Sequence, residues 1–293
     1  CNGIEQWAND FSSLIVACPV VPDALVQADS SQLWKDTREI RCRDRTEFVE
    51  LPWAFGAGDF LRAYRPTRRL LAACIERCRY LQFALWGLSG DWASVGALEA
   101  IQQRRAYALH VDIVNHVAVR RQARAFGWRR RLKTSIEAPL MKSLHAHLAR
   151  NCALGLWHGY DCYQVYSQWC KNNHNVHDVH TKPEDCISPA VLENKAREAE
   201  RAPALRACYA GRATAVKGPT DWVRAVAHAR GLGASVDATW IGDGPMLEEM
   251  RSLAHELKLG EHFKAPGFVG DRAQVLEVLR DGHILPFAHL TPE

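Results

Sequence analysis

The last third of the chain repeats one pattern three times: a short apolar run, a turn of small residues, and a helical apolar spacing. Arg206-Ala207-Cys208-Tyr209-Ala210 is short and largely apolar. Gly211 lets the backbone turn, and Asp221 to Arg230 carries helical periodicity at Trp222, Val223, Val226 and Ala227. Val236 to Ile241 ends in Gly242-Asp243-Gly244-Pro245, and an amphipathic helix follows over Met246 to Leu257, with Pro245 suited to its first turn. Then come Phe263, the turn Pro266-Gly267-Phe268-Val269-Gly270, a helix over Ala273 to Leu279, and a last apolar run Ile284-Leu285-Pro286 that reads as a strand. Three such units in succession predict a parallel α/β sheet whose ligand crevice lies at the carboxyl ends of its strands.

Arg212 and Lys217 follow the first of these strands and precede its helix. They would project from a strand end beside a helix amino terminus, where phosphates are favourably held. Two solvated cations at a turn are the plainer reading of the same residues. Gly242-Asp243-Gly244 could equally be only a connection that needs small residues.

The amino-terminal half shows the same alternation. Leu14 to Cys18 reads as a buried strand, and a further strand is expected over Thr46 to Leu51 within an irregular stretch beginning at Ser30. Asp59 is expected to cap a helix running to Cys78, with Leu61, Tyr64, Leu70, Leu71, Cys74 and Cys78 on its apolar side. A strand over Tyr80 to Trp86, a helix over Trp92 to Gln103, a strand over Ala106 to Val114, a helix over Ile136 to Arg150 and a strand over Cys152 to Trp157 follow. Asn172 to Pro189, polar and rich in His and Pro, suits a loop and linker. A charged helix near Val191 to Pro203 would join an amino-terminal domain, residues 1–195, to a carboxyl-terminal one, residues 196–293.

With 293 residues, 47% hydrophobic and 24% charged, the chain has the make-up of a folded globular protein with room for two domains. A formal charge of +4 does not imply nucleic-acid binding, and no apolar run approaches the roughly 20 residues that span a bilayer. No signal peptide is visible at Cys1 to Gln6, so a cytoplasmic location is expected, peripheral at the membrane if the basic stretch described below meets lipid. The 10 cysteines are scattered without the compact spacing of a disulfide framework, which favours reduced, mostly buried thiols.

The ordered trio "YAGRATAVKG", "WIGDGPMLEEM" and "FKAPGFVGDRAQVLEVL", over about Leu205 to Pro286, resembles the carboxyl-terminal half of group 1 (family 4) glycosyltransferases. The resemblance implies the GT-B fold: two Rossmann-like parallel-sheet domains facing a cleft, here with the carboxyl-terminal, donor-binding domain incomplete. It implies transfer of a sugar from a nucleotide-sugar donor with retention of configuration, without a metal or other cofactor. The acceptor, a saccharide, a lipid-linked sugar or a small molecule, would be held by the amino-terminal domain. Arg212 and Lys217 match the residues that bind the donor diphosphate, Gly242 and Gly244 lie beside the nucleotide, and Phe268 and Val269 fall in the segment whose backbone reads the base.

The family's sugar-binding Glu motif is altered. Pro286-Phe287-Ala288-His289-Leu290-Thr291-Pro292-Glu293 stands where Pro-Ser-x-x-Glu is expected, so Glu293 arrives about three residues late; it is either the sugar-hydroxyl ligand or an exposed carboxylate. The chain starts without Met and stops at Glu293, so the resemblance implies that the first strand with its Gly-rich loop and everything beyond this Glu are missing. A catalytically incompetent nucleotide-binding fragment, or a non-enzymatic binding protein, is the competing reading. The family often places a His at a strand end facing the donor sugar. His110 and His158 are the candidates best placed for that catalytic position, with His116 and His177 as others.

Two further clusters stand out. His174, His177 and His180 near Cys170 and Cys186 fit neither a zinc finger nor a helical zinc site, so no metal is expected there. Arg120, Arg121, Arg124, Arg129, Arg130, Arg131 and Lys133, with Phe126, Trp128 and Leu132 among them, form the strongest basic cluster. Such a mixture suits an anionic membrane surface or a phosphorylated acceptor, and equally a solvated loop.

Overall fold

The computed structural model describes residues 2–28, 36–123, 127–177 and 183–289. The described residues divide into two compact units, the first within 2–25 and 36–177, the second within 26–28 and 183–289. Element by element, the chain runs α1 (Asn2–Asp10), β1 (Leu14–Pro19), α2 (Asp23–Ala28), β2 (Thr46–Leu51), α3 (Ala57–Arg77), β3 (Gln82–Ala84), α4 (Trp92–Gln102), β4 (Ala108–Val111), α5 (Asn115–Ala123), α6 (Trp128–Asn151), β5 (Leu154–His158), α7 (Gly159–Tyr166) and β6 (Asn173–Val176). It continues with α8 (Pro189–Arg201), β7 (Leu205–Ala210), α9 (Pro219–Gly231), β8 (Val236–Ile241), α10 (Leu247–Glu256), β9 (Phe263–Gly267) and α11 (Arg272–Asp281).

Every strand pairing is parallel, as expected for strands separated by crossover helices. In the first unit β1 pairs β2, and β3-β4-β5-β6 form a separate sheet. Leu109, Val111 and Trp157 on its central strands are buried among Leu148, Ala149 and Tyr166. Alternation on β5 buries Gly155 and Trp157 while Leu154, Leu156 and His158 are half-buried. A Cβ at Gly155 would meet the Trp157 ring at 2.2 Å, so the indole covers that position only because it is glycine.

In the second unit β7-β8-β9 form the sheet, and Ile284 adds a single parallel bridge to Ala207 on the free side of β7. Trp240 stacks on Tyr209 with ring centroids 4.2 Å apart, and Trp222 meets Trp240 edge-on. Trp222, Val223 and Val226 are buried on one face of α9, the helix stripe that covers this sheet. Truncating either buried indole to alanine would cost about 3–5 kcal/mol. The helix α8 is tied to this unit through Lys195 Nζ, which donates to the Arg280 carbonyl at 2.6 Å.

Several expectations need correction. Gly56, not Asp59, caps α3; Asp59 lies in its first turn and accepts from Arg62. Leu61 and Leu70 point to solvent, because the buried stripe of α3 runs through Thr67, Leu71, Cys74 and Ile75. Residues 173–176, expected in a loop, form β6, a polar edge strand whose second side needs no apolar residues. The basic stretch is not a loop: its described residues lie on α5 and α6, and Arg124 and Phe126 lie outside the described residues. Pro245 precedes the first turn of α10, which Met246 caps. Ile284 to Pro286 makes one bridge rather than a strand. Among the described residues the cysteines are free thiols, with Cys42, Cys74, Cys162, Cys170 and Cys208 buried.

Candidate functional site

Three turns meet at the carboxyl ends of β7, β8 and β9, and backbone hydrogen bonds join them edge to edge. Gly211 N donates to Ile241 O at 2.8 Å, and Gly242 N donates to Gly267 O at 2.9 Å. Ala213 is fully buried between the first two turns; its N–H donates to Asp243 O at 2.9 Å and its carbonyl accepts from Met246 N at 3.0 Å. Glycine is what permits this approach. A Cβ on Gly242 (φ +136°) would lie 2.1 Å from the Gly211 carbonyl oxygen, and one on Gly244 would lie 2.5 Å from that of Ala213. The Asp243 carboxylate is occupied locally, accepting from Gly244 N at 2.7 Å.

The result is a floor of small residues with larger groups around it. Arg212, exposed, follows Gly211 directly. Lys217 closes a short 3-10 turn, Ala215–Lys217, immediately before Gly218 begins α9 in the left-handed conformation at φ +62°. Gly218 supplies no side-chain cap to α9, whose amino-terminal, positive dipole end lies here. Phe268, 60% exposed, and Val269 follow β9. Arg212, Gly242, Gly244, Phe268 and Val269 are therefore brought to one end of the sheet, with Lys217 at the adjoining helix start. Glu293 lies outside the described residues.

The last apolar run, Ile284 to Pro286, continues to His289 as a segment that seals the far side of β7. Cys208 N donates to Ile284 O at 3.0 Å, Trp222 Nε1 donates to Pro286 O at 3.1 Å, and the Tyr209 hydroxyl pairs with His289 Nε2 at 2.5 Å. Gly218 belongs to the same seal: a Cβ there would meet Ala288 O at 2.1 Å. Its position ahead of Pro219 at a helix start was the readable hint.

In the first unit, His110 on β4 and His158 at the end of β5 stand on neighbouring strands. His110 is in register with Leu156, so His158 lies two residues further toward the carboxyl edge on the same face. His110 Nε2 is 3.1 Å from Asp112 Oδ1, a pair that would orient the ring, and the His158 and His177 rings meet edge to face at 6.3 Å. His116 is buried on α5. Among the described residues no group of three His, Cys, Asp or Glu side chains could hold a metal; His180 lies outside them.

No protein-family model and no curated protein sequence matches the chain. Solved structures do. HepE of Anabaena, solved in complex with UDP, superposes with TM-score 0.55 at 13% identity over 97% of this chain and 75% of that one. Sucrose-phosphate synthase of Thermosynechococcus elongatus gives 0.51 at 11% identity over 93% and 74% of the two chains. A glycosyltransferase of Rickettsia africae gives 0.51 at 12% over 96% and 74%. The chain has the GT-B fold, with Rossmann-like units of parallel strands, and at these identities the fold is what is shared.

Proposed function

We propose that the protein is a glycosyltransferase that moves a sugar from a nucleotide-sugar donor to an acceptor, with retention of configuration and without a metal. The observation that carries this reading is the gathering of Arg212, Lys217 and an uncapped helix start around a glycine floor at the strand ends of a GT-B unit. Breaking the bond between sugar and diphosphate builds negative charge on the leaving group, so fixed cations there stabilise the transition state more than the ground state. Arg212 and Lys217 hold the diphosphate, Gly242 and Gly244 let the nucleotide approach the backbone, and Phe268 and Val269 lie against the base. Glu293 holds sugar hydroxyls. His110 or His158 faces the donor sugar, and the first unit presents the acceptor.

The test is a panel of nucleotide sugars, following nucleoside diphosphate release by wild type, Arg212→Ala and Lys217→Ala. Each substitution is expected to remove about 2–4 kcal/mol of transition-state stabilisation, roughly 30- to 1,000-fold in kcat/KM. Turnover that survives both changes would remove the donor assignment. Saturable binding with no release under any acceptor would favour a non-catalytic nucleotide-binding protein.

A peripheral membrane role for the first unit rests on α6. Trp128, Leu132, Ile136 and Leu140 recur every four residues and are each at least 57% exposed, opposite the buried Thr134, Ala138, Met141 and His145. Arg129 and Lys133 flank this stripe, with Arg120 and Arg121 on the neighbouring α5. An exposed apolar stripe beside cations suits the surface of an anionic bilayer. No helix among the described residues is long and apolar enough to cross one.

A further inference from the structure

We propose that Cys152 and Cys170 form a reversible disulfide in the first unit, an oxidation site that staples the start of β5 to the start of β6. The strand register brings the two residues together. β5 and β6 run parallel with Gly155 opposite Asn173, and three residues back along each chain Cys152 stands opposite Cys170. Both cysteines have extended backbone, with φ −76° and ψ 150° at Cys152 and φ −118° and ψ 130° at Cys170. Between them and the strands the two chains stay tied. Gly155 N donates to Asn172 O at 2.9 Å, and Asn172 Nδ2 donates to Ala153 O at 3.1 Å. Neighbouring strands lie about 4.7–4.9 Å apart, within the Cα separation that a disulfide spans. The thiols themselves are in contact, Sγ to Sγ, at 3.4 Å. A bond of about 2.0 Å asks the sulfurs to close the difference, about 1.4 Å, by side-chain adjustment. The thiol bonds given up, from Cys152 Sγ to Ala149 O at 3.2 Å and from Cys170 Sγ to Asn172 O at 3.1 Å, are weak ones.

The step needs a two-electron oxidant of the peroxide class. Cys152 is half-buried and Cys170 is buried, so Cys152 is the thiol that a small oxidant reaches first. Its thiolate attacks one peroxide oxygen, the O–O bond breaks, and the departing hydroxide takes up the thiol proton as water. The Cys170 sulfur then attacks the sulfenic sulfur of Cys152, and the hydroxyl leaves with the second thiol proton as another water. Two thiols and one hydrogen peroxide thus give one disulfide and two waters, and a dithiol reductant reverses the change. Burial, with the contact to Cys170 adding to it, pushes the Cys152 thiol up to about 12. Closure is therefore slow, and the pair serves as a brace rather than as a dithiol that turns over. What it braces is β6. Asn173-His174-Asn175-Val176 is an edge strand with little apolar surface, held by backbone pairing with β5. The ring closed by the bond contains β5, α7 and His158, whose ring meets that of His177, just past β6, at 6.3 Å. Oxidation restricts the parting of β6 from β5 at the start of both strands.

The test starts from the wild-type chain, incubated with hydrogen peroxide, alkylated at its remaining thiols and digested for mass spectrometry. Trypsin keeps Cys152, Cys162 and Cys170 together on Asn151–Lys171, because no Lys or Arg lies between them. The expected product is this peptide two hydrogens lighter and alkylated once, with chymotryptic cleavage placing the link between Cys152 and Cys170. Amide exchange over residues 173–176 should slow about tenfold or more in the oxidised protein and recover with dithiothreitol. In Cys170→Ser, peroxide should leave that exchange unchanged. A bond to Cys162, sulfinic acid at Cys152 without a bond, or intact thiols at both positions while the exposed Cys18 and Cys186 oxidise would each overturn the proposal. So would a Cys152–Cys170 bond that leaves the exchange of residues 173–176 as it was, or a slowing that persists in Cys170→Ser.

Discussion

Gly242→Ala tests whether the floor of the candidate donor site is held by close backbone approach, and Gly233→Ala supplies the comparison. Both glycines have positive φ, +136° and +91°, so alanine at either position carries backbone strain of about 1–3 kcal/mol. Around Gly233 there is open space, with nothing within 4 Å of an added Cβ, whereas at Gly242 the Gly211 carbonyl oxygen lies 2.1 Å away. Backbone must therefore move, and the turn that moves carries the bonds from Gly211 N to Ile241 O and from Ala213 N to Asp243 O. Disturbing one buried backbone bond of this kind adds about 1–3 kcal/mol. Gly242→Ala should then destabilise the second unit by about 2–6 kcal/mol, the strain and bond contributions together, against about 1–3 kcal/mol from strain alone for Gly233→Ala. Urea unfolding gives the total. Because the two units need not unfold together, exchange of the Tyr209 and Trp240 amides reports the second one. Equal costs for the two alanines would refute the reasoning, and a displaced Arg212 should also show as weaker nucleotide binding by Gly242→Ala alone.

His116 and His145 are buried in the first unit, with His145 Nδ1 3.1 Å from the Tyr166 hydroxyl, and lost hydration pushes both down to about 4. Their neutral forms favour the fold above the unfolded value of about 6.5, and this contribution is lost as pH falls from there through about 4. By about pH 5 the loss should be about 2 kcal/mol for each ring; urea unfolding of the first unit that is flat between about pH 7 and pH 5 would contradict it. Asp91 caps α4 from a buried position, accepting from Ser94 N at 3.1 Å, Trp86 N at 3.0 Å and Ser94 Oγ at 2.6 Å. Asp91→Ala should cost about 2–4 kcal/mol, and a thermal shift no larger than that of an exposed-site alanine would show that the cap is dispensable. Replacing Trp128 and Leu132 by serine should lower partition onto anionic vesicles about tenfold or more, and high salt should weaken the wild type; binding to neutral vesicles alone would remove the membrane reading.

The carboxyl-terminal pattern was legible because the later residues of β7 and β8 are shielded on both faces and the turns that follow need glycine. Tyr209, Trp240 and Gly242 declare themselves in sequence for that reason. The basic stretch was harder to read. Trp128, Leu132, Ile136 and Leu140 make the solvent side of α6 as apolar as its buried side, which erases the helical contrast that a sequence pattern depends on. Asn173-His174-Asn175-Val176 forms a strand through backbone pairing with β5, and its side chains carry no alternation that would announce it. At the candidate site, the turn chemistry puts Arg212, Lys217 and the glycines after their strands, as the structure has them. The Tyr209–His289 bond, spanning 80 residues, left no local trace.

The bridge from Ala207 to Ile284 bears on how this unit is made as well as on how it stands. Cys208 and Ile284 are 76 residues apart, so β7 is translated long before the segment that covers its free side. At a synthesis rate of about 5–20 residues per second, that side of β7 waits roughly 4–15 seconds. During that interval the Ala207-Cys208-Tyr209 edge is open to any other unpaired strand, and a chaperone that recognises extended apolar segments would find its target there. Nascent chains arrested between β9 and Ile284 should therefore aggregate more readily than chains arrested after His289.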